Sequence, residues 1–428
     1  MRRGIACLIA ILSSAGVAAR ADAPKTAEEL GLMRGFPPPA DKQVTHANLA
    51  EAPYNRWAFQ HMRELLPSRA LERGDGPVAA LPRGEPLDLR GLSVDLPGEQ
   101  SMKVSTWMYR AYTDAFLVLH RGRIVYEAYF NDMTPETPHQ MMSVSKSFCA
   151  AVVLTLIEEG KIDTAAPVSR YVPELGTSAY GDASVQQVLD MTVGVAFDED
   201  YRDPKSEWRR FGYALGLYPP PAGYDGPMNL YSYLPTLRKS GEHGEAFHYV
   251  SADTEVLGWI AERASGAQWS RLLSERLWRK LGVEHDAYYW LDPAAREGVS
   301  AALNISARDA ARFGQMILER GTLDGRRVLS KTVAERILQP GDPAPFNRFY
   351  QDRWYAEVGY AYHDQWWTFR NEHKSVAALG IHGQHIYIDP VAEMVVVRQS
   401  SDPQPESDIS ETDGPIVYHV IAKALMAR

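Results

Sequence analysis

The chain has 428 residues, of which 45% are hydrophobic and 23% are charged. This composition is typical of a globular protein large enough for two cores and argues against a mainly disordered chain. The formal net charge of -9 argues against a nucleic-acid partner, because nucleic acid is bound by a basic surface that neutralises phosphates.

The first 21 residues have the three parts of a secretory signal peptide. Met1 to Arg3 form a positive region, Ile5 to Ala19 form an apolar stretch, and Ala19-Arg20-Ala21 fits a cleavage site. The apolar stretch is shorter than the roughly 20 residues of a membrane-spanning helix, so cleavage is favoured over an uncleaved anchor. We expect an exported, periplasmic chain that starts near Asp22 and has no stable membrane insertion.

Cysteine usage agrees with this interpretation. Cys7 lies inside the predicted signal, so the mature chain keeps only Cys149 and forms no internal disulfide. The sequence carries no pattern that fixes an oligomeric state.

Residues 22–100 are rich in Pro, Gly and Ala and predict an extension that wraps a main domain, with one helical stretch around Trp57 to Leu66. Alternating apolar residues at 115–120 and 124–129, separated by Arg121-Gly122-Arg123, predict a β-hairpin.

From Ser143 the pattern changes to an almost unbroken apolar helix, which is typical of a buried one. Further helices are predicted at 185–191, 253–264, 269–281 and 307–320, strands at 384–388 and 394–398, and a final helix at 415–426. Strands at both ends with helices between them predict an α/β fold. We expect a discontinuous α/β domain at 101–160 and 345–428 and a mainly helical domain at 161–344.

Ser143 and Lys146 form a Ser-x-x-Lys motif at the start of the buried helix. Residues three apart lie on one helix face, so the lysine amine can reach the serine hydroxyl. Serine is a weak nucleophile until a neighbouring base takes its proton, and a helix N-terminus offers N–H groups to an oxyanion. The alternative is a helix-capping serine with a solvent-facing lysine, but this helix has almost no polar face.

Two weaker motifs follow. Tyr249-Val250-Ser251 precedes a helix, where Ser251 could also be a cap and Tyr249 could be packing. Gly380 and Ile381 belong to a glycine-punctuated strand entry, where the Ile381 N–H could be a second oxyanion donor. A β-bulge is the structural alternative.

Taken in order, the three motifs resemble those of the serine β-lactamase and penicillin-binding-protein superfamily, in which Ser-x-x-Lys, Tyr-x-Asn or Tyr-x-Ser, and Lys-Thr-Gly line one cleft. More specifically, the chain is similar to the class C β-lactamase-related branch that contains 6-aminohexanoate-dimer hydrolase (nylon oligomer hydrolase) and esterases. The similarity runs from about Thr113 to the C-terminus and is supported by residues 114–129, 189–195 and 306–314.

The resemblance implies a β-lactamase/transpeptidase-like fold, with an antiparallel sheet flanked by helices and an inserted all-helical domain. It implies an acyl-enzyme on Ser143, with Lys146 or Tyr249 as the base and the Ser143 and Ile381 N–H groups as the oxyanion site. Free Lys and Tyr titrate near pH 10, so one of the two must be shifted to act near neutrality.

The resemblance also implies substrate contacts from Tyr201, Ser251 and Gly380. Ala378-Leu379-Gly380 stands where the superfamily has Lys-Thr-Gly, so the cation that holds a β-lactam carboxylate is missing. This departure favours an esterase or amidase acting on a small molecule over a β-lactamase or D-Ala-D-Ala peptidase.

Three other interpretations are less consistent with the sequence. An inactive binding or scaffold module is opposed by the retention of all three motif residues. A metal site of His382 and His385 with His243 or His248 is disfavoured because scattered histidines are usually structural, and we expect neither a metal nor a cofactor. An α/β-hydrolase is disfavoured because the chain has no Gly-x-Ser-x-Gly.

Overall fold

The computed structural model describes residues 23–350 and 359–428. The predicted signal peptide, residues 1–21, lies outside the described residues. Among the described residues, no helix has the length and apolar character needed to cross a membrane.

The centre of the fold is a seven-stranded sheet in the order β11-β12-β13-β14-β15-β4-β5, and every neighbouring pair in it is antiparallel. Smaller sheets have the orders β1-β7-β8-β6, β10-β9 and β2-β3. The strands, in chain order, are β1 Ser68–Leu71, β2 Ser93–Val94, β3 Met102–Lys103, β4 Thr113–His120, β5 Arg123–Tyr129, β6 His139–Gln140, β7 Ala287–Trp290, β8 Leu303–Ile305, β9 Thr322–Leu323, β10 Arg326–Arg327, β11 Tyr360–His363, β12 Trp366–Phe369, β13 Val376–Gly380, β14 Gln384–Asp389 and β15 Met394–Ser400.

Helices occupy the middle of the chain and both faces of the sheet. In chain order they are α1 Asn55–Ala58, α2 Met62–Leu65, α3 Val104–Arg110, α4 Val144–Glu158, α5 Val185–Leu189, α6 Glu207–Leu215, α7 Leu230–Tyr233, α8 Ser251–Ser265, α9 Trp269–Leu273, α10 Arg279–Leu281, α11 Ala307–Leu318, α12 Lys331–Ile337, α13 Pro343–Phe349, α14 Asp408–Glu411 and α15 Asp413–Met426.

The large sheet is buried on both faces because its central strands carry apolar side chains on each face. Strand β4 sends Leu117 and Leu119 to one hydrophobic cluster and Phe116 and Val118 to a second one. Successive side chains of a strand point to opposite faces, so the sheet lies between two cores. Helices α4 and α11 pack on the first face, and α15 covers the second.

The predicted hairpin forms as β4 and β5. Arg121 and Gly122 connect the two strands with φ values of 50° and 72°. Positive φ at both positions of a two-residue connection matches the twist of the flanking strands, which explains the tight turn.

Two predicted helices differ in detail from the observed ones. The stretch around 57–66 is split into the single turns α1 and α2, because the Phe59 carbonyl accepts a hydrogen bond from the Gln140 N–H of β6 at 2.8 Å. The stretch 269–281 contains a π-helical segment, Ser274–Trp278, between α9 and α10. Hydrophobic periodicity does not indicate the break in the first stretch or the π-helical hydrogen bonding in the second.

Candidate active site

Ser143 lies at a sharp connection between a strand and a helix. Strand β6 ends at Gln140, Met142 adopts the left-handed φ of 47°, and α4 begins at Val144. Within the described chain, the Ser143 hydroxyl makes no capping hydrogen bond to the helix. The hydroxyl is therefore available for chemistry, at the positive end of a 15-residue helix.

Lys146 points back along the helix to the serine. Its Nζ lies 2.8 Å from Ser143 Oγ, 2.9 Å from Ser251 Oγ and 3.2 Å from the Ser300 carbonyl oxygen. The lysine is only 1% exposed. Burial lowers its pKa to about 8, although the nearby Glu199 and other carboxylates act in the opposite direction.

Glu199 completes this group of polar side chains. Its carboxylate accepts hydrogen bonds of 2.6 Å from both the N–H and the hydroxyl of Ser251, and one of 2.8 Å from the Tyr201 hydroxyl. Burial raises the pKa of Glu199, while the positive charge of Lys146 lowers it. The carboxylate thus fixes Ser251 and, through it, the lysine amine.

Tyr249 packs beside the same amine. Lys146 Nζ lies 5.1 Å from the centre of the Tyr249 ring, and the ring stacks on Trp367 with centroids 5.5 Å apart. Burial and the negative charge of Glu199 raise the pKa of Tyr249 well above its ordinary value, although a hydrogen bond with Ser143 acts in the opposite direction. The phenol is therefore neutral near pH 7, and it can donate a proton.

The end of β13 abuts the start of α4. A Cβ atom on Gly380 would lie 2.9 Å from the Ser143 nitrogen and 2.7 Å from the Met141 carbonyl oxygen. Only glycine allows this approach, which brings the next residue, Ile381, to the wall of the cavity beside Ser143.

These residues open onto a cavity of about 480 Å³. Of the predicted site residues, Ser143, Tyr201, Tyr249, Gly380 and Ile381 border it. The other residues that border it are Phe197, Asp198, Glu199, Asp200, Arg202, His248, Phe349, Tyr350, Tyr360, Trp367, Leu379, His385, Glu406 and Glu411.

Ser251 is placed differently from the expectation that it contacts substrate. It is fully buried, does not border the cavity, and uses its hydroxyl to bridge Lys146 and Glu199. Its place at the first turn of α8 puts its side chain behind the lysine, so we assign it a positioning role.

Sequence reasoning missed Glu199 and Trp367. Glu199 belongs to an acidic run, Asp198-Glu199-Asp200, that reads as a solvated loop, and no motif separates the buried carboxylate from its exposed neighbours. Tyr201, two residues later, is among the predicted site residues, and its hydroxyl donates a hydrogen bond to Glu199 in the folded chain.

The four histidines weighed as metal ligands are not brought together. His382 Nδ1 contacts the Asp402 carbonyl oxygen at 2.7 Å, and His385 Nδ1 contacts the Tyr418 hydroxyl at 2.8 Å. His243 bridges Gly194 and Asp182, and His248 stacks on Phe349. Each has a separate structural contact.

Comparison with known proteins places the chain in a family. A sequence profile described as Beta-lactamase matches residues 99–415. The chain belongs to the beta-lactamase family. The resemblance, the fold and the assignment as a serine hydrolase made from the sequence are thereby confirmed.

Two relatives within this family extend over most of the chain. The 6-aminohexanoate-dimer hydrolase of Paenarthrobacter ureafaciens is 39% identical over 373 residues, which cover 87% of this chain and 92% of that protein. A Bacillus anthracis protein of known structure, provisionally assigned as a 6-aminohexanoate-dimer hydrolase, has a TM-score of 0.81 and 32% identity, over 91% of this chain and 99% of that one.

More distant members share the fold. A family VIII carboxylesterase has a TM-score of 0.54 at 17% identity, over 73% of this chain and 92% of that one. At this identity the likeness shows the fold alone.

Proposed function

We propose that this beta-lactamase-family chain hydrolyses a small amide or ester through an acyl-enzyme on Ser143, with Lys146 as the base. The observation that carries the proposal is the 2.8 Å contact between Ser143 Oγ and the buried Lys146 Nζ. A contact of this length is within reach for direct proton transfer.

Lys146 is preferred over Tyr249 as the base because of their opposite pKa shifts. With its pKa lowered to about 8, Lys146 is neutral in roughly a tenth of molecules at pH 7. The pKa of Tyr249 is raised, so its phenolate is far rarer at that pH. The rarer base contributes less to the rate unless it is much more reactive.

Acylation then proceeds with each proton assigned. Ser143 Oγ bonds to the substrate carbonyl carbon and its proton passes to Lys146, while the oxyanion is held by the Ser143 and Ile381 N–H groups. The C–N or C–O bond breaks as the leaving group takes the Tyr249 hydroxyl proton. Lys146 returns its extra proton to Tyr249, which restores both groups.

Deacylation reuses the same base. Water attacks the acyl carbonyl carbon as its proton passes to Lys146, and the bond to Ser143 Oγ breaks as that proton moves to the serine. The free acid leaves and Ser143, Lys146 and Tyr249 are back in their starting states.

The substrate class is proposed from the charge of the cavity and from the relatives. Asp198 and Asp200 are exposed at its border, whereas the only Lys or Arg among the described residues there is Arg202. Acidic groups favour a substrate with an ammonium end, which an amino-acid amide such as the 6-aminohexanoate dimer has. Arg202 is the group that can meet a carboxylate end.

The test measures hydrolysis of three substrates by the chain that starts at Asp22 and by its Ser143→Ala variant. We expect hydrolysis of the linear 6-aminohexanoate dimer and of p-nitrophenyl acetate, lost by at least about a thousandfold in the variant. Ser147→Ala is the matched control, because Ser147 lies on the same helix but donates its hydroxyl proton to the Gln365 carbonyl at 2.9 Å.

The remaining outcomes separate the alternatives. Turnover of nitrocefin with neither dimer nor ester cleaved would favour a β-lactamase or a D-Ala-D-Ala peptidase. No turnover of any substrate, and no covalent adduct of Ser143 with a fluorophosphonate, would favour an inactive binding module and contradict the proposal.

Export to the periplasm is part of the proposal. It rests on the signal-like residues 1–21, and the described fold makes its first hydrogen bond to the main domain at Ala27, whose N–H donates to Asn131 at 2.8 Å. Mass spectrometry of the protein from periplasm should give a chain that starts near Asp22. A chain that retains Met1 would contradict cleavage.

A further inference from the structure

A second group of polar side chains lies outside the cavity, where the connection between β12 and β13 meets the C-terminal helix α15. Glu372 and His373 belong to the connection and His419 to the helix. One ligand atom from each of the three lies within 4.8 Å of the other two. His419 Nε2 is 3.7 Å from Glu372 Oε1, and the two imidazole centroids are 4.9 Å apart.

His373 is oriented by a carboxylate behind it. Its Nδ1 donates to Asp389 Oδ2 at 2.6 Å, which leaves the lone pair on Nε2. Asp389 is itself held by the N–H groups of Val391 and Ala392, at 3.1 and 2.9 Å from Oδ1. A carboxylate that fixes the tautomer and direction of a histidine is the usual support of a metal-binding imidazole.

His419 has a ring whose nitrogens are poorly satisfied. Its Nδ1 is buried and has no hydrogen-bond partner among the described residues, and the 3.7 Å from Nε2 to Glu372 is too long for a hydrogen bond. Neither ring nitrogen is therefore committed to a hydrogen bond with another described residue. A neutral imidazole with an unused lone pair is a competent ligand.

In the other compact His-carboxylate group of the described chain, both ring nitrogens of the histidine have partners. His363 contacts Asp190 through Nδ1 at 3.1 Å and Asp364 through Nε2 at 3.0 Å, so both nitrogens are used. Arg336 binds Asp364 at 2.7 and 2.9 Å and supplies the positive charge there. That group is already neutralised, whereas among the described residues no arginine forms an ion pair with Glu372, His373 or His419.

We propose that Glu372, His373 and His419 bind a divalent transition ion of the Zn²⁺ class. Two imidazole nitrogens and one carboxylate oxygen are a common ligand set for Zn²⁺, with a fourth position left to water. Bonds of about 2.0–2.1 Å in a tetrahedron place ligand atoms about 3.3 Å apart, so the ligand atoms, which lie within 4.8 Å of one another, must close by about 1.5 Å or less. Glu372 is 72% exposed in its side chain and can make this adjustment.

A bound ion would fasten α15 to the β12–β13 connection. These elements are 46 residues apart between His373 and His419. The ion binds the folded chain and not the unfolded one, so it raises the apparent stability of the fold. The site lies away from Ser143, so the inference does not depend on the proposed hydrolase chemistry.

The experiment uses the full mature chain without a histidine tag, dialysed against a chelator and titrated with ZnCl₂ in a calorimeter. We expect one ion per chain with a Kd below about 10 μM and a rise in Tm of about 3 °C at a hundredfold excess over Kd. Co²⁺ in place of Zn²⁺ should give the visible absorption of a tetrahedral site.

Two variants and a matched control decide the outcome. His419→Ala should remove binding and the Tm rise, and Glu372→Gln should weaken binding at least about tenfold. His285→Ala is the control, because His285 Nε2 also lies 3.8 Å from a glutamate, Glu284, without a second histidine in a ligand group. Equal binding by wild type and His419→Ala, or no binding by the wild type tighter than about 100 μM, overturns the inference. Circular dichroism of the metal-free variants checks that each is folded.

Discussion

At the scale of single residues, Lys146 lies in an interior that disfavours its own charge. The amine is buried, so its charged form is penalised and its pKa falls from the ordinary value to about 8. As the base it must be neutral, so activity is lost as pH falls below that pKa. We expect kcat/KM for p-nitrophenyl acetate to rise about tenfold per pH unit below pH 7, reach half its maximum near pH 8 and become level above about pH 9.

The same profile distinguishes the two candidate bases. If the Tyr249 phenolate were the base, its raised pKa would make kcat/KM continue to rise beyond pH 10. A profile without a plateau by pH 10, measured on enzyme shown to stay folded there, would contradict the assignment to Lys146.

Glu199 provides a second prediction about this amine. The Glu199 carboxylate raises the pKa of Lys146, so Glu199→Gln should move the rising limb of the pH profile to lower pH. The plateau kcat should fall by up to about a hundredfold, because Ser251 loses a partner that accepts two of its hydrogen bonds.

The control for Glu199→Gln is Glu207→Gln. Glu207 also accepts a hydrogen bond from a tyrosine hydroxyl, that of Tyr233 at 2.8 Å, whereas the carboxylates that raise the pKa of Lys146 are Glu199, Glu255 and Asp253. An unchanged midpoint in Glu199→Gln, or an equal shift in Glu207→Gln, would show that Glu199 does not set the ionisation of the lysine.

Among the polar side chains around Lys146, the sequence could predict those that are separated by a helical repeat, but not those that come together only in the folded chain. Ser143 and Lys146 are one helical turn apart, so their contact follows from helix geometry. Glu199 and Ser251 are 52 residues apart, and the hydroxyl of Ser251 faces inward because of how α8 packs against α4. The family resemblance implied a substrate contact for Ser251, whereas in the fold its hydroxyl bridges Lys146 and Glu199.

At the scale of elements, short-range sequence patterns are sufficient to predict an element whose backbone hydrogen bonds form within that element. The β4–β5 hairpin and the buried helix α4 follow from alternation and from an apolar run. The segment 57–66 does not follow from such a pattern, because its Phe59 carbonyl group accepts a hydrogen bond from β6. Helical periodicity in a sequence does not indicate that one of the carbonyl groups is hydrogen-bonded to a distant strand.

The connection between α1 and β4 gives a prediction at this scale. Arg56 Nη1 lies 2.7 Å from Asp114 Oδ1, and Asp114 Oδ2 accepts from Ser401 Oγ at 2.6 Å. Both members of the ion pair are almost fully buried. Asp114→Asn would leave the arginine charge unpaired in the interior, so we expect the free energy of unfolding to fall by about 3–5 kcal/mol.

Urea denaturation of the variant and of Glu393→Gln checks this expectation. Glu393 pairs with Arg121 at 2.8 Å on the exposed surface, where such pairs contribute about 0–1 kcal/mol. A loss below about 1 kcal/mol in Asp114→Asn would mean that the Arg56 charge is compensated by other groups.

At the scale of the whole molecule, the N-terminal extension is part of the core and not an appendage. Leu32, Val44, Leu49 and Phe59 are buried in the same hydrophobic cluster as α4 and the first face of the large sheet. The sequence could predict a wrapping extension from its Pro and Gly content, but the identity of the surface it covers depends on packing across hundreds of residues.

Phe59 tests how far the extension supports the site. Its ring is fully buried and makes edge contacts with His139 before Ser143, at 5.9 Å, and with His382 after Ile381, at 5.2 Å. Phe59→Ala should leave a cavity between these two chain segments and lower the free energy of unfolding by about 3–5 kcal/mol. It should also lower kcat more than it raises KM, because the two segments carry the predicted oxyanion donors.

Urea denaturation and ester kinetics of the variant measure both effects, with Phe36→Ala, a fully exposed phenylalanine of the same extension, as the control. Stability lost with kcat unchanged would show that the extension holds the fold without shaping the site, and equal losses in both variants would contradict the prediction.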